Sequence, residues 1–368
     1  MSPDAAKAVG QVFDSGYIGQ GSRVEVFEDL LREQLQSPHV VTVNSCTSAL
    51  QLALHLVAGD MDEGAILLPP LSCFATVSAA LTTNLRLSWV DLDPETLLID
   101  LNDLESKLNA ETKVVMVVHF AGAPVNMIQL HYILERHEQK YGFYPYIIED
   151  CAQSFGSNVG FAYPSIRCFS FQAVKMLTTV DGGALAIPDE FLAERAKRLR
   201  WYGLDRREEL EGQNIVESGW KYHMNDVNAQ IGISNLTYIQ NNDLLDQQKR
   251  RFYQTQIELS DYCGFPIDYP SPLLPPPCSN QFPLMLKNKE SFIKEMAELG
   301  IESSPSHYRC DKHACVAEYK NDNLPGMDLV EKEMTLIPIG WWLSDEQWRY
   351  VIDCVKDKVE FSWREEGF

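Results

Sequence analysis

An α/β architecture built on a mostly parallel sheet is predicted by three observations. Between residues 38 and 190, short β-branched runs alternate with helical stretches. Several of those runs, such as Val114-Val-Met-Val-Val118 and Tyr146-Ile-Ile148, are apolar throughout, as expected of strands covered on both faces. Beyond about residue 237 the alternation gives way to a long polar helix, a proline-rich stretch and shorter segments, so a smaller C-terminal α/β domain follows the larger one.

Taken in order, strands are expected at 39–43, 65–69, 85–90, 113–118, 145–148, 167–171 and 183–187, which makes a seven-stranded sheet. Helical patterns lie between several of them, at 47–56 and 127–140 for example. Residues 238–259 read as one helix, followed by prolines from Pro266 to Pro277. The larger domain is taken as 1–240 and the smaller as 241–368, a length that suits two packed units.

Composition narrows the function. A net charge of −21 argues against nucleic acid or an anionic membrane as partner, because both need clustered Lys and Arg. It leaves room for a small phosphorylated ligand, which a few backbone N–H groups can hold. The nine cysteines are odd in number, scattered and without a CxxC pair, so no metal site or disulfide framework is indicated. Reduced thiols in a cytoplasm are the simpler reading. No run of about 18 apolar residues occurs, and the N-terminus lacks an apolar signal core.

Three segments carry chemistry. Asn44-Ser-Cys-Thr-Ser-Ala-Leu50 follows a strand and opens a helix, exposing backbone N–H groups at the positive end of the helix dipole. Its Ser45 and Thr47 serve equally well as plain helix caps. Tyr146-Ile-Ile-Glu-Asp150 ends a buried strand with an acid, at the sheet edge where α/β proteins bind ligands. A capping role for Asp150 fits that position too. Lys175 sits among apolar neighbours ahead of Thr178-Thr179 and Gly182-Gly183. A buried ammonium is costly unless it turns neutral, and a neutral lysine is an imine-forming nucleophile. The alternative is a lysine whose stem covers apolar surface while its head reaches water. Anion site, carboxylate and lysine are together what pyridoxal 5′-phosphate (PLP) needs: a phosphate cradle, a partner for the pyridine nitrogen and an imine-forming amine.

Over most of its length the chain resembles the DegT/DnrJ/EryC1/StrS family of PLP-dependent sugar aminotransferases, which have the fold type I architecture. The resemblance rests on Ser15-Gly-Tyr-Ile-Gly-Gln-Gly-Ser22, the Asn44–Leu50 turn, Val90-Asp-Leu-Asp93, Val118-His-Phe-Ala-Gly-Ala-Pro124, Glu149-Asp-Cys-Ala-Gln153, Phe169-Ser-Phe-x-x-x-Lys175, Gly219-Trp-Lys-Tyr-His-Met224 and Ser306-His-Tyr308. It implies that Lys175 forms the imine with PLP, that Asp150 pairs with the pyridine nitrogen and that Gln153 contacts the ring hydroxyl. It assigns the phosphate to Ser170 and the turn of Cys46, Thr47 and Ser48. Lys221 and His223 are expected to reach into the phosphate site of a partner in a homodimer with shared sites. Tyr17, His307 and Tyr308 are expected to face the substrate.

Two positions depart from the family pattern. Cys73, with Phe74 beside it, falls where an aromatic ring usually stacks on the cofactor, and Gln172 stands where His is usual. The activity implied is transfer of an amino group from glutamate or glutamine to a keto-sugar, foremost a 3- or 4-keto-6-deoxy sugar linked to a nucleoside diphosphate, with pyridoxamine 5′-phosphate formed between the two halves. Amination of a cyclitol or related ring ketone is the nearest alternative. A sugar dehydratase of the same family replaces the lysine by histidine, so Lys175 counts against it. A non-catalytic regulator is unsupported, since no appended DNA-binding helix pair or basic patch is present.

Overall fold

Seven β-branched or apolar segments form one sheet in the order β1-β9-β8-β7-β6-β2-β3. They are β1 (His39–Val43), β2 (Ala65–Leu68), β3 (Arg86–Trp89), β6 (Thr112–Val118), β7 (Tyr146–Asp150), β8 (Ser165–Ser170) and β9 (Gly183–Ile187), with the short hairpin β4 (Leu92–Asp93) and β5 (Leu98–Ile99) apart from them. The computed structural model describes residues 1–157, 164–209, 211–260, 262, 277–305, 307–320 and 323–365, the stretch 360–365 in its backbone only. Residues 266–276 of the proline-rich stretch, and Ser306, lie outside the described residues.

Five strands from β3 to β8 run parallel, and β9 is antiparallel to both β8 and β1. The parallel strands are almost wholly buried because helices cover both faces. Prediction and structure agree on all seven strands; the ends of five differ by one or two residues. The largest useful difference is in β7, which continues through Asp150, so that Asp150 is its last residue and pairs in register with Val118 and Cys168.

The helices begin where short polar side chains take up free N–H groups. Ser45 caps α3 (Cys46–Ala58), Asn126 caps α6 (Met127–Tyr141), and Asn225 caps α8 (Asp226–Asn241). Flanking them are α1 (Ala5–Asp14), α2 (Ser22–Leu35), α4 (Phe74–Ala80), α5 (Leu101–Lys107) and α7 (Glu190–Leu199). The single helix expected over 238–259 is in fact two, α8 and α9 (Leu244–Leu259). The break is Asn242-Asp243, where Asp243 takes a left-handed φ of 51° and the Asn242 side chain donates to the Tyr238 carbonyl over 2.8 Å. Asn and Asp tolerate that conformation and compete for backbone groups, which periodicity does not register.

After α9 a two-stranded ladder of β10 (Gln281–Met285) and β11 (Met334–Pro338) is wrapped by α10 (Lys289–Glu298), α11 (Pro325–Glu333) and α12 (Asp345–Glu365). Its apolar residues, among them Phe282, Leu336 and Ile352, join the same core as the sheet's Leu67 and Val115. The C-terminal ends of the parallel strands therefore face the 277–310 and 336–343 segments across a cleft. No helix among the described residues is long and apolar enough to cross a membrane.

Candidate active site

Asp150 is held by two donors at the end of β7. The Thr76 hydroxyl, from α4, donates to Oδ2 over 2.6 Å, and the Ala152 N–H donates to Oδ1 over 3.0 Å. Asp150 and Thr76 are both buried, so the carboxylate is oriented by protein rather than by water. Beneath it Glu149 forms a buried pair with His119 at 2.8 Å. The Val125 N–H donates to His119 Nδ1 over 3.0 Å, which leaves Nε2 as the side that donates to Glu149.

Lys175 rides on a closed loop. The Thr179 N–H returns to the Phe171 carbonyl at 2.9 Å, and the Lys175 N–H bonds the Gln172 carbonyl at 2.9 Å. Asn235 and Asn228 of α8 clamp the Thr178 and Thr179 carbonyls. Phe171 anchors the loop below, edge-on against Phe27 at 5.5 Å. The lysine is half-buried between exposed Val174 and buried Met176. The expectation of a lysine sunk among apolar neighbours is corrected here: Lys175 stands in the wall of the cleft, because the loop turns Gln172, Ala173 and Val174 outward.

The cleft is a cavity of about 370 Å³, within the usual range for small-molecule sites, and Gln153, Lys175 and His307 all line it. Gln153 Oε1 accepts from the Ala121 N–H over 2.9 Å. Burial, and next the Lys175 ammonium, push the His307 imidazole below its ordinary range, so the ring is neutral at pH 7.

The β1–α3 turn lies at the back of this site. Gly183 opens β9 opposite Ser170 and against the turn: a Cβ there would meet the Ser45 carbonyl and the Cys46 nitrogen at 2.6–2.7 Å. Only glycine permits that approach. Ser45 caps α3 through a 3.1 Å bond from the Ser48 N–H, and the Ser48 hydroxyl is taken up by Asn44 at 2.7 Å. The Cys46 thiol faces inward to the Cys168 carbonyl, and burial above all, then the Asp150 charge, raises its pKa. The turn thus presents backbone N–H groups and the half-buried Thr47 rather than the Cys46 and Ser48 side chains.

Residues 1–356 match the model of the DegT/DnrJ/EryC1/StrS aminotransferase family. The chain belongs to that family. AtS13 from Actinomadura melliaura superposes with a TM-score of 0.91 at 38% identity, covering 97% of this chain and 96% of that one. The sugar aminotransferase CalS13 from Micromonospora echinospora gives 0.90 at 32%, covering 97% of each. A dTDP-4-dehydro-2,3,6-trideoxy-D-glucose 4-aminotransferase from Saccharopolyspora spinosa is 28% identical over 98% of this chain and 95% of its own. The architecture is that of fold type I PLP-dependent transferases, and the chain is an aminotransferase.

Within this DegT/DnrJ/EryC1/StrS member the expected site residues divide into three groups. Lys175, Gln153 and His307 line the cleft, with the Asp150 charge near enough to act on His307, and Ser170 with the 46–48 turn lies behind it. Tyr17, Lys221 and His223 form a separate group. Tyr17 is exposed and accepts from Arg206, whose guanidinium covers Trp201, and Trp201 packs on His223. The Lys221 segment is tied by its backbone to its own chain, through Asn44 N–H to the Tyr222 carbonyl at 2.6 Å. Tyr308 is exposed and packs on His313, away from the cavity lining.

Cys73, at the start of α4, is exposed, whereas Phe74 spends its ring on His313 at 4.6 Å. Gln172 is exposed, and its side-chain Oε1 accepts from the Val174 N–H in its own loop. Residues that the sequence reading missed are Thr76, Asn280, Glu302, Ser304 and Trp342. Thr76 lies two residues beyond Phe74, but nothing in the sequence marks it as the hydroxyl that meets Asp150. The other four come from segments brought to the cleft by the β10–β11 ladder, beyond the reach of local pattern.

Proposed function

We propose that this chain is a PLP-dependent enzyme moving an amino group from glutamate or glutamine to a keto-sugar carried by a nucleoside diphosphate, with Lys175 as its reactive amine. The observation that carries this is that Lys175, in the cleft wall, and a buried, doubly held Asp150 both act on His307 of the same cleft. The residues present fit the cofactor: an oriented carboxylate, a lysine in the wall, and a glycine-backed helix N-terminus for a phosphate. The relatives described as sugar aminotransferases support the acceptor class, and the 4-keto-6-deoxy type agrees with the Saccharopolyspora spinosa relative's name.

When bound, PLP supplies an electron sink that stabilises negative charge at the carbon losing its proton. Asp150, held in place by Thr76 and Ala152, would pair with the ring nitrogen and keep it protonated. Lys175 Nζ would hold the cofactor and would serve as the base and acid that moves a proton at the donor's α-carbon. Gln153 and the N–H groups of the 46–48 turn orient the ring and phosphate. We place the enzyme in the cytoplasm as a homodimer, with 1–240 as the cofactor domain and 241–368 as the smaller domain.

The test is spectroscopic. Protein purified with PLP should absorb in the near-visible, change on adding glutamate, and yield a borohydride-fixed label on Lys175. Asp150→Asn should bind cofactor yet lose turnover by about two to three orders of magnitude. A label on another lysine, or near-native turnover in the Asn variant, would overturn the assignment.

A further inference from the structure

We infer that His119, paired with Glu149 in the core beneath the cleft, is a positioning residue. It holds the 119–125 loop so that the Ala121 N–H fixes the Gln153 amide with its Nε2 donors toward the cavity and an ionised oxygen of the cofactor ring. The inference rests on the PLP reading above and deepens it.

The first argument is the direction of the Gln153 amide. Its Oε1 accepts from the Ala121 N–H over 2.9 Å. A backbone N–H can only donate, so turning the amide over would set two donors against each other. The end left for the cavity that Gln153 lines is therefore Nε2, which can only donate. PLP carries an ionised oxygen on its ring, beside the carbon that joins it to a lysine, and such an oxygen is stabilised by a donor. The orientation of this one amide thus decides whether the wall attracts that oxygen or repels it.

The second argument is what holds Ala121 there. Ala121 has φ 49° and ψ 30°, a left-handed conformation that a residue with a Cβ takes only when its neighbours impose it. On one side, the His119 N–H donates to the Asp150 carbonyl over 3.1 Å. The fully buried His119 ring donates to Glu149 at 2.8 Å and accepts from the Val125 N–H at 3.0 Å. Glu149 is buried too and accepts from the Ser165 hydroxyl, which ties the acid to β8. On the other side, the Ser157 hydroxyl donates to the Gly122 carbonyl over 2.8 Å. The imidazole thus joins both ends of the loop to the strand that ends in Asp150. A buried ionic pair is a poor source of stability compared with apolar side chains of the same volume. Neither His119 nor Glu149 lines the cavity, so the pair acts through the loop and not on a ligand.

The experiment follows the absorbance of the PLP-loaded protein against pH, with PLP affinity by equilibrium dialysis and melting temperature on the same preparations. A donor to the ring oxygen draws negative charge from the nitrogen that joins PLP to Lys175, and so lowers the pH at which that nitrogen loses its proton. Gln153→Glu keeps an acceptor for Ala121 but turns a second acceptor, with negative charge, toward the ring. Its absorbance midpoint should rise by about one pH unit or more. His119→Asn keeps an acceptor for Val125 and drops the bond to Glu149; the midpoint should rise by about half a unit and PLP should bind about threefold more weakly. Should that variant fail to fold, the double variant His119→Asn, Glu149→Gln leaves no unpaired buried carboxylate and should show the same rise. The titratable groups of the lining, Lys175, His307 and Glu302, and the neighbouring Asp150 are unchanged in all of these proteins. A merely structural pair would lower the melting temperature and leave the midpoint of the folded, loaded protein where it was. That result in the His119 variants, or an unmoved or lowered midpoint in Gln153→Glu, overturns the inference. A preparation with no near-visible band at all sinks the PLP reading instead.

Discussion

Thr76 donates its hydroxyl to Oδ2 of Asp150 over 2.6 Å, from the first turn of a helix to the last residue of a strand 74 positions on. The bond ties α4 to β7 at the point where the sheet meets the cleft. With the Ala152 N–H on Oδ1, it leaves the carboxylate one orientation. On the proposed reading Asp150 pairs with the pyridine nitrogen, and Thr76 would hold it in the orientation that pairing needs.

Thr76→Val keeps the shape and removes the donor. A buried carboxylate losing one hydrogen bond costs about 1–2 kcal/mol, so turnover should fall about tenfold while the fold persists. Thr76→Ser should restore most of it. Kinetics on the three proteins, with cofactor absorbance followed against pH, checks this; native turnover in the Val variant would show that Thr76 does not position Asp150.

Gly183→Ala places a methyl at 2.6 Å from the Ser45 backbone, which has no flexible end to yield. The β1–α3 turn must shift, so cofactor affinity should weaken by about tenfold or more, with a lowered melting temperature. Equilibrium dialysis against PLP reads the first effect and thermal unfolding the second.

His223 couples stability to acid. Burial first, then Lys221, Arg200 and Arg206, hold its imidazole at about 4, below the ordinary 6.5. The folded ring stays neutral where the unfolded one already binds a proton. Stability from this group is therefore complete above pH 6.5 and is lost as pH falls toward 4. The ring is half-exposed, so the loss is about 1–2 kcal/mol after solvent screening. His223→Gln should flatten the acid limb of a denaturation series between those pH values, and an unchanged limb would remove His223 as its source.

The sheet was legible because its strands are short, β-branched and bounded by turn residues, a pattern that survives without tertiary information. Asp150 and Lys175 were legible for a similar reason, since each interrupts an apolar context that a stable core would not choose. The break at Asn242-Asp243 was not, because it depends on one left-handed residue within an otherwise continuous polar helix. Trp342 and Glu302 were also hidden: they reach the cavity from segments 167 and 127 residues beyond Lys175, and only the β10–β11 ladder brings them there. The real depth of Lys175 was misjudged, because its apolar neighbours Ala173 and Val174 point outward from the loop.

The last prediction concerns sharing of sites. Lys221 is exposed, and its segment is fixed to its own chain by the Asn44 N–H bond to the Tyr222 carbonyl and by the bonds of Tyr222 and His223 N–H to Arg200. Neither Lys221 nor His223 lines the cavity with Lys175, so the backbone cannot swing them there without breaking those bonds. The exposed Lys221 side chain is the group placed to reach a second copy of the chain, with His223 packed on Trp201 behind it. Lys175→Ala and the double variant Lys221→Ala, His223→Ala should each be inactive alone. Mixed after reversible dissociation, half the dimers are heterodimers, and each regenerates one intact site of two, so activity should return to about a quarter of native. Were the segment serving its own chain, every site in every mixture would carry a lesion and no activity would return. Sizing at low concentration accompanies the assay, and a stable monomer that retains full turnover would end the shared-site reading directly.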